Sequence, residues 1–355
     1  METENHHLNS QCSKCVLCSF RADSPPGALF LYASTPILRR IVESNLRDLQ
    51  VSFQLQNELF RIDQGEDVAI KGLLERLSDA ERADIRATRA SGAAILGASS
   101  LEALGKRLDT AWFDEALRND SFTTFFQPIV DTSDSRVFAH ECLIRLFADR
   151  ACGGGRIAYS GGQIVETALS RGRIHLFDSY ARRLSIRLAG QQCVPGTKVF
   201  INFMPSSIYD PALCMASTLE ELAKTSIEPR DVVFEVVESD HVRDVRQLRK
   251  ICDYYRTKDF GFALDDVGTG ANSLQMVCDL KPDYIKLDKS LVSGISDPMY
   301  KTAVHKLAEF ADQFSLRVVA EGVETVETAQ TLQTMGIHLM QGYHFGRPAA
   351  TMSGR

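Results

Sequence analysis

Phe262-Ala263-Leu264-Asp265-Asp266 begins as three apolar residues and ends on two carboxylates. A run so short and apolar reads as a buried strand, and the paired acids at its carboxyl end read as a site. Tyr284-Ile285-Lys286-Leu287-Asp288 repeats the design one helix-length further on. Working outward, the same alternation of short apolar runs and helical stretches extends over Thr124–Val130, Val137–Arg145, Lys198–Phe203, Val232–Val237, Phe262–Asp265, Tyr284–Leu287, Arg317–Ala320 and His338–Gln341. Eight strands with intervening helices predict an α/β chain folded as a (β/α)8 TIM-type barrel.

Polar residues interrupt seven of these eight runs, at or near their carboxyl ends. Glu141 lies inside the second strand, Asn202 follows Val199-Phe200-Ile201, and Glu235 follows Val232-Val233-Phe234. Asp265 and Asp266 close the next run, Lys286 follows Tyr284-Ile285, Glu321 follows Val318-Val319-Ala320, and Gln341 follows Leu339-Met340. A single acid at a strand end is most often a solvated loop residue or a helix cap. Seven strands in succession are not explained that way, because in a closed barrel those ends converge on the face that carries active sites. Carboxylates gathered there require cations, and oxygen and amide ligands favour Mg²⁺ or Mn²⁺ over Zn²⁺. Two such ions suit attack of water on a phosphodiester.

The runs also carry a resemblance. Gln127-Pro128-Ile129-Val130, Glu141-Cys142-Leu143-Ile144-Arg145, Phe234-Glu235-Val236-Val237-Glu238, Asp265-Asp266-Val267-Gly268-Thr269-Gly270, Asp283-Tyr284-Ile285-Lys286-Leu287-Asp288, Ala320-Glu321-Gly322-Val323-Glu324 and Gln341-Gly342-Tyr343 together resemble the EAL family of cyclic di-GMP phosphodiesterases. The resemblance implies a barrel whose first strand is antiparallel to the rest, hydrolysis of cyclic di-GMP to linear pGpG, and a homodimer as the default assembly. It implies that Glu141, Asn202, Glu235 and Asp265 bind one metal ion, and that Asp265 and Asp266 bind a second. Lys286 and Glu321 would contact the attacking water, with Glu321 the general base, since a lysine of ordinary pKa cannot accept a proton near neutrality. Gln341 would support that water or the metal ligands. Gln127, Leu143 and Arg145 match substrate-holding positions, Glu324 and Tyr343 match weaker ones, and Glu238 matches a residue that holds the loop after the Asp-Asp pair.

Departures from the pattern are Cys142 for the usual Ala, Val267 for Phe and Ala271-Asn272 for Tyr-Ser. The small thiol should be tolerated, whereas the loop changes bear on metal affinity or dimer coupling. The Gly-rich segment 148–173 is unlike the family's usual lead-in, so the resemblance says least there about the guanine pocket.

At 355 residues the chain has room for the barrel, expected over 109–355, and a smaller mixed α/β regulatory unit over 28–90, joined by a linker at 91–108. Within the small unit, Pro36 at a first helical position opens a helix through Leu49, Val51–Gln56 alternates as a strand, and the capping-box spacing of Ser78 and Glu81 starts a helix to about Arg89. Residues 1–27 form a polar tail with Cys12, Cys15 and Cys18, preceded by His6 and His7, which could hold Zn²⁺ or an iron–sulfur cluster. The alternative is a reduced tail that binds nothing.

Hydrophobic residues at 44% and charged residues at 24% exclude disorder throughout, and a net charge of −6 argues against coating nucleic acid. With no basic-then-apolar start and no apolar run near the roughly 18 residues of a membrane span, the expected compartment is the cytoplasm. Nine cysteines without framework spacing fit a reducing environment. Two other functions compete with the hydrolase. One is a cyclic di-GMP receptor that does not cut, which would lack several of the ligands present here. The other makes the amino-terminal unit a contact module for protein or, less favoured, DNA. The sequence has no cyclase Gly-Gly-Asp/Glu-Glu-Phe signature.

Overall fold

A computed structural model describes residues 28–56, 58–88, 99–102, 104–105, 110–149, 156–237, 245–268 and 273–353. They fall into two units, divided between residues 119 and 120.

The smaller unit runs β1 (Leu29–Ala33), α1 (Pro36–Asp48), β2 (Gln54–Gln56), β3 (Leu59–Ile62), α2 (Glu66–Arg76), α3 (Asp79–Ala83), β4 (Ile85–Thr88), β5 (Ser99–Ser100) and α4 (Ala111–Arg118). Its sheet has the order β2-β3-β1-β4-β5, antiparallel throughout. Leu29, Leu31, Phe60, Ile62, Ile85 and Ala87 line one face, packed with Leu38, Val42 and Leu46 of α1 and Ala69, Ile70 and Leu73 of α2. Thr35 caps α1 by accepting from Leu38 N–H.

Several expectations for this unit need correction. The capping box at Ser78 forms, but its helix ends at Ala83, and the residues expected to continue it make β4 instead. Ile85-Arg86-Ala87-Thr88 alternates buried and exposed and completes the ladder beside β1, so pairing overrides a local helix start. Strands β1 and β3 and helix α2 were not anticipated. The expected linker is not wholly a linker, since Ser99 and Ser100 pair with Ala87 and Arg86. Cys12, Cys15, Cys18, His6 and His7 lie outside the described residues.

The larger unit contains β6 (Phe122–Asp131), β7 (Arg136–Asp149), β8 (Arg156–Tyr159), α5 (Gly161–Ser170), α6 (Ile174–Gly190), β9 (Lys198–Asn202), α7 (Pro211–Leu222), β10 (Val232–Val237), α8 (Val245–Arg256), β11 (Gly261–Val267), α9 (Ser273–Leu280), β12 (Tyr284–Leu287), α10 (Lys289–Ser293), α11 (Pro298–Gln313), β13 (Arg317–Ala320), α12 (Val326–Gln333) and β14 (Leu339–Gln341). Strands β7, β9, β10, β11, β12, β13 and β14 are successive parallel neighbours, and β6 closes the barrel antiparallel to both β7 and β14. This is the expected TIM-type barrel with an antiparallel first strand. In the Gly-rich segment, β8 folds back on the end of β7 as a hairpin, and Ser160 and Gln163 form a capping box that starts α5.

Register explains where the site lies. Ile129, Ala139, Phe200, Val233, Ala263, Tyr284, Val319 and Leu339 form one cluster, one residue from each barrel strand, and plug the interior. Because side chains alternate along a strand, the residue two places further toward the same end faces inward one layer higher. Those residues are Glu141, Asn202, Glu235, Asp265, Lys286, Glu321 just past β13, and Gln341. On antiparallel β6 the count reverses and gives Gln127. The apolar layer therefore seats a polar layer directly above it.

Candidate active site

Lys286 is the hub of that polar layer. Its ammonium, 1% exposed, lies 2.9 Å from Glu235 Oε1, 2.5 Å from Glu321 Oε1, 3.3 Å from Asp265 Oδ2 and 3.6 Å from Glu141 Oε2. Four strand ends thus meet on one nitrogen. Amides complete the ring: Gln341 donates to Glu141 Oε2 at 2.6 Å and to Gln127 Oε1 at 3.1 Å, and Asn202 donates to Glu141 Oε1 at 3.2 Å. Gln127 in turn donates to the Gly346 carbonyl, on the segment after β14.

Asp265 and Asp266 need a local irregularity to serve together. Adjacent residues of a regular strand face opposite ways, but the pairing of β11 with β12 slips between Leu264 and Val267, and Asp266 takes φ of 55°. The bulge brings carboxylate oxygens of Asp265, Asp266 and Glu321 within 4.8 Å of one another. Val267, a departure from the family pattern, is fully buried in the barrel wall.

So many acids around one ammonium keep protons in the cluster. Burial pushes Glu235 well above the ordinary carboxylate range, aided by Glu141 and Asp265 and opposed by Lys286. Burial likewise moves Glu321 up to about 8, against the pull of Lys286, and Asp266 up to about 6, where Asp265 and Asp288 add to it. For Lys286 burial works the other way, yet the four carboxylates outweigh it and hold the ammonium charged.

Divalent cations fit this donor set. The ligands are oxygens of carboxylates and amides, the hard donors of Mg²⁺, Mn²⁺ and Ca²⁺. Both the fully buried Oε2 of Glu235 and Oε1 of Gln341 meet no hydrogen-bond donor among the described residues, and a cation would satisfy them.

The remaining expected residues stand on the rim. Leu143 and Arg145 follow Glu141 on the same face of β7; Arg145 is half-buried, donates to the Ile144 carbonyl, and lies in the fields of Glu141 and Tyr343. Glu324 pairs with Lys289 at 2.6 Å, and the Arg347 guanidinium stacks 4.0 Å from the Tyr343 ring centroid. Sequence reasoning passed over Lys289 and Arg347; their signal was position, each within six residues of an assigned site residue just past a strand end. Cys142 faces away from the crown into the wall, where burial raises its thiol far above its ordinary value. Glu238, Ala271 and Asn272 lie outside the described residues.

The sequence model of the EAL domain matches residues 110–348. The chain belongs to the EAL domain family. Its match begins just before α4, so that helix falls to the EAL domain by sequence although its contacts group it with the smaller unit. Among curated relatives of the domain is PdeG of Escherichia coli K12, named a probable cyclic di-GMP phosphodiesterase, 30% identical over 246 residues that make up 66% of this chain and 46% of PdeG. PdeN of the same organism, named likewise, is 26% identical over 238 residues, 66% of this chain and 44% of PdeN. This chain spans less than half the length of either. A standalone EAL protein from Vibrio cholerae O395, solved with cyclic di-GMP bound, is 28% identical with a TM-score of 0.59 and covers 66% of this chain and 94% of its own. Klebsiella pneumoniae BlrP1, in a complex with calcium and cyclic di-GMP, has a TM-score of 0.59 at 22% identity over 92% of this chain and 97% of its own, a likeness of fold. Among the described residues no helix is long and apolar enough to cross a membrane.

Proposed function

We propose that this chain hydrolyses cyclic di-GMP to linear pGpG; PdeG and PdeN, among its relatives, are named probable cyclic di-GMP phosphodiesterases. The observation that carries the reading is the polar layer, in which Glu141, Glu235, Asp265 and Glu321 surround Lys286 with Asn202, Gln341 and Asp266 at their sides. Glu141, Asn202, Glu235 and Asp265 would hold one Mg²⁺ or Mn²⁺, and Asp265 with Asp266 a second. Bound there, the ions would supply positive charge to the attacking and leaving oxygens.

The chain's own groups do the rest. Glu321 takes the proton of the attacking water, because it sits at the crown's edge and burial tunes its carboxyl upward into the range of a base near neutrality. Lys286 cannot take that proton, since its neighbours hold the ammonium charged; it orients the water and steadies the charge that develops. Gln341 fixes Glu141 and Gln127. Arg145 offers a planar fork to a phosphate oxygen, and Gln127, Leu143, Glu324 and Tyr343 line the remaining rim. Every ligand expected of a hydrolase is present, which favours turnover over a receptor that only binds.

The test is incubation of the full chain with cyclic di-GMP and Mg²⁺ or Mn²⁺, with the products separated by chromatography. Wild type yields pGpG and Glu141→Ala does not. Equal product from both, or none from wild type, removes the reading.

A further inference from the structure

The turn that follows Asn202 is fastened from two sides. Asp178 of α6, 4% exposed, accepts the Met204 backbone N–H through Oδ1 at 2.8 Å and the Ser207 hydroxyl through Oδ2 at 2.7 Å. One turn earlier on the same helix, His175 Nδ1 lies 2.8 Å from the Ser207 carbonyl, and since a carbonyl only accepts, that nitrogen carries the proton. From α8, Gln247 donates to the Ile208 carbonyl at 2.9 Å. Phe203 N–H, next to Asn202, donates to the Glu235 carbonyl at 3.1 Å.

Asp178 is itself held. Arg182, one helical turn on and 1% exposed, reaches Asp178 Oδ2 through Nε at 3.1 Å and Nη2 at 3.0 Å, and donates through Nη1 to Thr218 of α7 at 2.9 Å. A buried ion pair is a poor way to stabilise a helix interface, where apolar residues of the same volume often do better. Its retention makes sense if the carboxylate has a task that no apolar residue performs. Here the task is visible: a carboxylate oriented by Arg182 accepts from two groups of one turn and sets its position to hydrogen-bond tolerance.

We infer that Asp178 is a positioning residue for Asn202, fixing the turn at 203–207 so that the Asn202 amide faces the crown. The inference rests on the reading of Asn202 as a cation ligand. Residues that orient ligands from behind commonly change metal affinity about tenfold or more when altered. The Asn202 side chain is exposed at the strand end and bonds to Glu141 at 3.2 Å, so its aim depends on the backbone beneath it.

The experiment is calorimetric titration of the full chain with Mn²⁺, in the absence of nucleotide and well below the unfolding temperature. Ser207→Ala leaves the Asp178–Arg182 pair intact and is expected to weaken Mn²⁺ binding about tenfold. Ser207→Thr, which keeps the hydroxyl, is expected to bind as wild type does. Asp178→Asn is expected to lose at least as much as Ser207→Ala; should it fail to fold, the Ser207 pair of variants still decides. In an Asn202→Ala background, Ser207→Ala is expected to cost nothing further. If Asn202→Ala weakens Mn²⁺ binding and Ser207→Ala does not, or if Ser207→Ala costs as much without the Asn202 side chain, the positioning role is wrong. If Asn202→Ala binds Mn²⁺ as wild type does, the metal reading of Asn202 falls and takes this inference with it.

Discussion

Lys286 concentrates the physics of the site in one side chain. An ammonium buried to 1% exposure is tolerated because four carboxylates repay its lost hydration, and those carboxylates are tolerated partly because of it. Lys286→Met keeps the length of the side chain and removes the charge. Breaking a buried ionic cluster from one side costs about 3–5 kcal/mol, so the variant should unfold at markedly lower denaturant than wild type when no divalent ion is present. Saturating Mn²⁺ should recover part of that loss, because it restores positive charge to the same oxygens. An identical deficit with and without Mn²⁺ would mean that the crown takes up no cation. Glu321 has a different dependence, since its part is to move a proton. Glu321→Gln preserves shape and should reduce kcat by about 10² to 10⁴ with little change in KM for cyclic di-GMP. A loss confined to KM would assign Glu321 to substrate binding instead.

At the scale of elements, the site was legible because the barrel strands are. Each apolar run betrays itself by its break, and the break residue is the one that lies two places past the interior plug, as Val233 and Glu235 show. What the runs concealed was irregularity. The Asp265-Asp266 pair would point two ways in an ideal strand, and the bulge that reconciles them leaves no mark in hydropathy. The strand β4 hid behind a genuine helix start at Ser78, because pairing with β1 is a long-range fact. Asp178 and Arg182, four apart on a helix, have the spacing of a solvated surface pair, and only packing shows that they are buried. Close approach of strand to loop is equally hidden. A Cβ added at Gly342 would stand 2.0 Å from the Val323 carbonyl oxygen and 2.3 Å from its nitrogen, atoms that cannot step aside without moving the backbone. Gly342→Ala should therefore displace the end of β14, cost about 1–3 kcal/mol, and weaken turnover by shifting Gln341 from Glu141. Stability and activity both unchanged would show that the strand end can shift without disturbing Gln341.

Across the whole molecule, proton linkage separates the cation site from the rest of the fold. Glu321 and Asp266 are raised from ordinary carboxylate values to about 8 and about 6, so without metal the folded chain keeps protons that the unfolded chain releases. A group raised on folding contributes stability that is complete below its unfolded pKa and lost as pH rises through the folded one. The metal-free protein should accordingly weaken between about pH 4 and 8 on account of these two acids. His140 opposes the trend. Burial depresses it to about 4, against a hydrogen bond to Ser353 that raises it, so its contribution is present above its unfolded value near 6.5 and is lost as pH falls toward 4. A single melting curve against pH would mix the two signs. The difference between melting temperatures with and without saturating Mn²⁺ removes His140, which is the same in both, and leaves the crown carboxylates, the ligands and Glu321 beside them, which shed protons when the ion binds. That difference should grow as pH rises from 5 to about 8, as Asp266 and then Glu321 give up the protons they hold in the metal-free chain. A difference that stays flat across this range, measured at constant ionic strength, would show that cation binding is not coupled to these carboxylates and that their raised values have another cause.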